Sequence, residues 1–156
     1  MHMNIGLTSK ITSTSAFKTE QLGEQLGQKL KGGEVIELVS DLGGGKTTFV
    51  RGLARGMGSK DKVSSPSFTL SNEYTAKGLT LHHFDFYRLS EPGILKQELA
   101  EVLADAQAVT VVEWADIVED VLPTDKLTVR IKATGEEGRE IELSYPEQLK
   151  YVGETT

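Results

Sequence analysis

The run Glu34-Val35-Ile36-Glu37-Leu38-Val39-Ser40-Asp41-Leu42-Gly43-Gly44-Gly45-Lys46-Thr47-Thr48 constrains this chain more than any other segment. Its apolar half reads as a buried strand, its glycines as a tight turn, and Lys-Thr-Thr as the opening of a helix. A phosphate-binding loop has this layout: Gly, four free residues, Gly-Lys, then Ser or Thr. Gly45, Lys46 and Thr47 satisfy the last three positions, and Ser40 stands where the first glycine would be. Glycines let the chain adopt positive φ and approach a phosphate closely, and successive N–H groups of Gly43, Gly44 and Gly45 can form an anion nest. The helix start adds N–H donors and a positive dipole end. Lys46 is expected to reach the β- and γ-phosphates and the Thr47 hydroxyl to ligate magnesium. The plain alternative is a strand-to-helix turn that binds nothing. Each glycine costs about 0.5–1 kcal/mol relative to Ala in ordered structure, which a plain turn has no need to bear.

The rest of the chain supplies elements to surround that loop. Residues 4–14 read as a strand and loop, and Ser15 as an N-cap. Leu22, Leu26 and Leu30 form one helical stripe, expected to end at Gly32-Gly33. A second helix is expected from Lys46 to Met57, stopped by Gly58. Residues 67–75 and 79–84 read as strands around an Ala76-Lys77-Gly78 turn. Ile94, Leu95, Leu99, Val102 and Leu103 mark a helical face within 94–106. Ala108 to Val112 reads as a central strand, Ile117 to Leu122 as a short helix ended by Pro123, and 127–131 with 141–143 as a closing hairpin. No repeat or linker divides the chain. The expectation is one α/β domain over 1–156, with a mixed, mainly parallel central sheet, flanking helices and β-hairpins. Met1-His2 before Met3 reads as a cloning remnant.

A phosphate loop needs a carboxylate at the end of a neighbouring strand to serve magnesium or its waters. Asp85 ends the run Leu79 to Phe84, and Glu113 ends Val109 to Val112. Both follow apolar residues, where an unpaired charge is costly. A capped or solvated strand end is the alternative for each. Ser65-Pro66-Ser67-Phe68-Thr69 is a second candidate contact, with the hydroxyls of Ser67 and Thr69 facing the γ-phosphate. Arg88 is placed to neutralise transition-state charge or to make a structural ion pair. His82 and His83 fall on opposite faces of a strand and read as structural. Trp114 reads as packing, with a partner-anchoring role at a rim as the other option. Of the local cations Lys46, Arg51, Arg55, Lys60 and Lys62, all but Lys46 read as a solvated helix face.

Composition removes several classes. The 156 residues contain no cysteine, which excludes disulfides, thiol catalysis and cysteine-ligated zinc. No apolar run is long enough to span a bilayer, no secretory leader is visible, and a cytoplasmic protein is expected. A net charge of −6 argues against autonomous DNA or RNA binding. No Asn-Lys-x-Asp motif supports a GTPase, and no Leu-Ser-Gly-Gly-Gln signature supports a transporter ATPase. A small-molecule kinase on this scaffold remains an alternative, although the length leaves little room for lid and acceptor segments.

Four segments together resemble one family: Asp41 to Phe49 across the loop, Ser65 to Leu70, His83-Phe84-Asp85-Phe86-Tyr87-Arg88-Leu89, and Glu113-Trp114. In order and spacing they are similar to TsaE, also called YjeE, the bacterial ATPase family of tRNA threonylcarbamoyladenosine biosynthesis. The resemblance covers about residues 15–145. Ser40, Gly44 and Ser67 depart from its usual Gly, Ala and Thr. It implies ATP and Mg2+ as cofactors, TsaD and TsaB proteins as partners, tRNA engaged only through that complex, and hydrolysis that supports turnover of the complex. Carried onto this chain, it implies a catalytic set of Lys46, Asp85 and Glu113. Thr47, Glu113 and Asp85 would serve the metal. Asp41, Leu42, Gly43, Gly44, Gly45, Lys46, Thr47, Thr48, Ser67 and Ser15 would bind nucleotide, with adenine near Ser15 to Thr19.

Overall fold

Among the described residues there are seven strands, most of them built from alternating or wholly apolar runs: β1 (Leu7–Ser13), β2 (Val35–Ser40), β3 (Ser71–Thr75), β4 (Thr80–Asp85), β5 (Ala108–Glu113), β6 (Leu127–Ala133) and β7 (Arg139–Tyr145). In the computed structural model, which describes residues 6–40, 45–66, 70–87 and 93–153, they form one sheet in the order β1-β7-β6-β2-β5-β4-β3. The central four strands, β6, β2, β5 and β4, run parallel. Antiparallel pairs extend the sheet on both sides. All six residues of β5 are buried, as suits a parallel strand covered on both faces. This is the single α/β domain expected from the sequence.

Strand parity separates two cores. Ile36, Leu38, Leu81, Val109 and Val111 face one side, where Leu22 and Leu26 of α1 (Ala16–Gly27) and Phe49, Val50 and Leu53 of α2 (Lys46–Gly56) cover them. Val35, Phe84 and Val112 face the other, under Leu99 of α3 (Gly93–Leu103) and Val118 of a 3₁₀ helix, Ala115–Val121. No helix among the described residues is long and apolar enough to cross a membrane.

Helix α2 is held against α1 by reciprocal backbone contact. A Cβ at Gly23 would lie 2.3 Å from the Phe49 carbonyl oxygen, and one at Gly27 2.2 Å from that of Leu53. From the other side, a Cβ at Gly52 would lie 1.9 Å from the Glu20 oxygen, and one at Gly56 2.1 Å from that of Glu24. Two glycine pairs, each spaced by four residues, thus let the helices touch main chain to main chain. At the edge of this contact, Arg51 and Arg55 both pair with Glu20. Both arginines remain exposed, the solvated face expected from the sequence, and tie the helix pair at its surface.

Three expectations change in detail. Helix α1 ends at Gly27 with Gln28 as its cap, earlier than Gly32-Gly33. Those two glycines, at φ 111° and 87°, instead turn the chain into β2. The short helix after β5 is 3₁₀ in character. Beyond the closing hairpin, a turn at Glu147–Leu149 and α4 (Lys150–Gly153) return to the sheet. Tyr151 donates its hydroxyl to the buried carboxylate of Glu34 at 2.6 Å.

Candidate functional site

The parallel register of β4 and β5 pairs Leu81 with Val109, His83 with Val111 and Asp85 with Glu113. Side chains alternate along a strand, so His83, Asp85 and Glu113 share the face covered by α1 and α2. They lie at the C-terminal ends of the strands, where an open parallel sheet presents its ligand crevice. Helix α2 begins at the same end. Gly45 precedes it at φ 99°, a left-handed conformation that suits glycine. Gly45 has no side chain with which to cap this start, and first-turn N–H groups, which have no partner within a helix, are donors suited to an anion.

Lys46 opens α2, and its Nζ lies 3.0 Å from Glu113 Oε1. The other carboxylate oxygen, Oε2, receives the His83 imidazole through Nε2. Glu113 is buried, which by itself disfavours its charge. The His83 hydrogen bond and charge, then Lys46, outweigh burial and hold the carboxyl below the usual glutamate range. Asp85 is also buried. Its Oδ1 accepts the Tyr87 N–H at 2.9 Å, and its own N–H donates to the Leu70 carbonyl at 2.8 Å.

Non-glycine left-handed conformations mark the rim, at Leu70 (φ 68°) and Trp114 (φ 56°). Such positions cost on the order of 1–3 kcal/mol and cluster where function needs them. Trp114 turns the chain immediately after Glu113. Its ring lies 4.7 Å from that of Tyr87, and Lys46 Nζ is 5.5 Å from its centroid. It remains 41% exposed, so it forms a wall of the site and is not core packing.

A cavity of about 190 Å³ adjoins the loop, between Ala16 and Thr19 of α1, Gly45 and Thr48, and the β6–β7 turn at Glu136, Glu137 and Arg139. Arg139 donates from Nη1 to the carbonyls of Gly135, Glu136 and Gly138, which fixes it across that turn. The Ser15 hydroxyl accepts the Lys18 N–H at 3.1 Å and caps α1. Of the segment expected to meet adenine, Ala16 and Thr19 line the cavity while Ser15 serves the helix.

The structure therefore brings together Lys46, Glu113 and Asp85, with Thr47 beside Lys46 in the first turn of α2 and Gly45 and Thr48 on the adjoining cavity. Asp41, Leu42, Gly43, Gly44, Ser67 and Arg88 lie outside the described residues. His83, read as structural, is in direct contact with Glu113. The signal was present: His83 has the same strand parity as Asp85. Arg139 had no local signal, because the hairpin that carries it reaches the loop only through the sheet order.

No group of three or more His, Cys, Asp or Glu able to hold a metal occurs among the described residues. Magnesium does not require one. It takes one or two carboxylates, with phosphate oxygens and waters completing its shell. Two buried carboxylates on adjacent strand ends and the Thr47 hydroxyl are hard oxygen donors of the right type.

Comparison with known proteins converges on one family. The family model described as threonylcarbamoyl adenosine biosynthesis protein TsaE matches residues 13–141. The TsaE protein of Bacillus subtilis is 41% identical over 71% of this chain and 69% of its own length. That of Treponema pallidum is 36% identical over 85% of this chain and 97% of its own. The crystal structure of Bacillus subtilis YdiB superposes with a TM-score of 0.73 at 31% identity, covering 97% of this chain and 92% of that one.

Proposed function

This chain belongs to the TsaE family, and on that premise we propose that it is a magnesium-dependent ATPase of tRNA N6-threonylcarbamoyladenosine formation. Its hydrolysis drives turnover of a TsaB–TsaD partner complex, through which alone it meets tRNA. It acts in the cytoplasm, where tRNA is modified, and is weak without its partners. The observation that carries the reading is the convergence of Lys46, at the head of α2, on Glu113, at the end of β5, with Asp85 opposite Glu113 on β4.

In this reading the triphosphate lies over the loop from Asp41 to Thr48, and the nucleoside enters the cavity between α1 and the Arg139 turn. Lys46 exchanges its contact with Glu113 for the β- and γ-phosphates. Thr47, Glu113 and Asp85 would hold magnesium, which when bound offsets charge on the phosphate oxygens. Of the two carboxylates, one orients the attacking water. That water adds to the γ-phosphorus as the bond to the β-phosphate oxygen breaks, giving ADP, phosphate and a proton. Ser67, outside the described residues, would offer its hydroxyl to the γ-phosphate.

The test is ATP hydrolysis by the protein alone and with TsaB and TsaD, with Lys46→Ala as control. Strong stimulation by the partners, lost in the variant, is the expected result. Turnover indifferent to the partners would overturn their role and favour a small phosphotransferase, to be pursued with candidate acceptors.

A further inference from the structure

Glu113 is gripped at both oxygens by groups with different prospects. Lys46 Nζ holds Oε1 and His83 Nε2 holds Oε2. A triphosphate over the loop competes for Lys46, since a lysine ammonium in that position serves phosphate. It has no such claim on His83, which is 1% exposed and reaches Glu113 from inside the sheet. We propose that His83 is a positioning residue for hydrolysis: it anchors Glu113 through Oε2, so that Oε1 is released toward metal and water when Lys46 turns to phosphate. The proposal rests on the ATPase reading above and adds to it the group that keeps the carboxylate in place.

Three observations support it. First, β4 is locked to β5 by the register that sets His83 opposite Val111, two residues before Glu113, so the ring reaches diagonally to the next carboxylate on its own face. Second, Nδ1 of His83 is buried and has no hydrogen-bond partner among the described residues. Its one polar tie is therefore the bond to Glu113, and Nε2 is the donor. A histidine kept only for packing has no need of a buried, half-satisfied ring, because an unpaired buried polar atom costs about 1–3 kcal/mol. Third, Asp85 shares that face and strand, so one element positions both carboxylates of the site.

Two replacements separate donation from bulk. Gln places an amide N–H near the position of Nε2, whereas Asn places one near Nδ1, where no partner exists. In the full chain with its partners, His83→Asn should lower kcat by about 10–100-fold, the usual effect of removing a residue that orients a metal-site ligand. Its KM for ATP should change far less, and His83→Gln should recover most of the rate. Equal loss in both variants, or no loss in either, overturns the proposal. Proton NMR of the imidazole gives a readout that needs no turnover. The Nε2-bound proton should resonate downfield, move in Glu113→Gln, and persist on adding magnesium and a non-hydrolysable ATP analogue. Its loss on nucleotide addition also overturns the proposal. A wild-type chain that binds the analogue but never hydrolyses ATP would sink the ATPase reading while the NMR result still decides whether His83 is the anchor.

Discussion

At the scale of single residues, the site depends on one buried carboxylate with a cation on one oxygen and an imidazole on the other. Removing that carboxylate outright would strand Lys46 and His83, and breaking a buried pair commonly costs about 3–5 kcal/mol. Glu113→Gln is the better probe, because it keeps volume and hydrogen-bonding capacity while removing charge. It should reduce partner-stimulated turnover by about 10²–10⁴-fold, the span associated with a group that handles the reacting proton. Nucleotide affinity should change much less. Lys46→Ala should instead abolish productive phosphate binding. Equilibrium binding of a labelled nucleotide beside steady-state turnover separates the two, and normal turnover in both variants would remove these residues from the site. The positions of Lys46, Asp85 and Glu113 at element ends were legible in the sequence, because each ends or begins an element with a strong local signature. His83 was not, because adjacent histidines invite a question about a shared metal. The informative relation was to Asp85, two residues away on the same face.

At the scale of elements, the helix pair that carries the loop is set by what its residues lack. The Leu22, Leu26 and Leu30 stripe announced α1. The glycines at 23, 27, 52 and 56 matter only once the two helices are known to cross, so their meaning could not be read from either helix alone. Alanine has the higher helix propensity, by about 1 kcal/mol over glycine, which would make Gly52→Ala stabilising on an open face. Here the new methyl meets a main-chain carbonyl at 1.9 Å, and Glu20 cannot yield without moving α1. Overpacking of this kind costs about 1–3 kcal/mol and should win. Urea unfolding of Gly52→Ala should show a lower midpoint than wild type. Gly135→Ala, in a turn where a Cβ meets nothing within 4 Å, should be close to neutral. A Gly52→Ala protein as stable as wild type would mean that backbone contact does not set the position of α2.

At the scale of the whole molecule, segments far apart in sequence close the fold. Strand β1 pairs along its full length with β7. The segment after β7 then brings Tyr151 to Glu34, at the entrance to β2. Neither pairing has a local signature, since the partners are separated by nearly the whole sequence, and the C-terminal turn was not anticipated. The contact has a distinctive electrostatic consequence. Glu34 is buried and accepts three donors: the Lys31 and Gly32 N–H groups, at 2.8 and 2.7 Å, and the Tyr151 hydroxyl. Burial, then the hydrogen bond and charge of Glu34, push the Tyr151 phenol above its ordinary value of 10.0. The folded chain therefore keeps a proton that the unfolded chain gives up as pH passes about 10. Because the native state then binds more protons than the unfolded state, stability must fall with rising pH across that window. Below it the latch contributes in full. At neutral pH, Tyr151→Phe should cost about 1.5 kcal/mol, near the lower end for a hydrogen bond to a charged group, because two amide donors still satisfy Glu34. On titration from pH 8 to 11, urea midpoints of wild type should fall toward those of Tyr151→Phe. Curves that stay parallel across pH 10 would show that the Tyr151–Glu34 bond does not carry the closure of the chain.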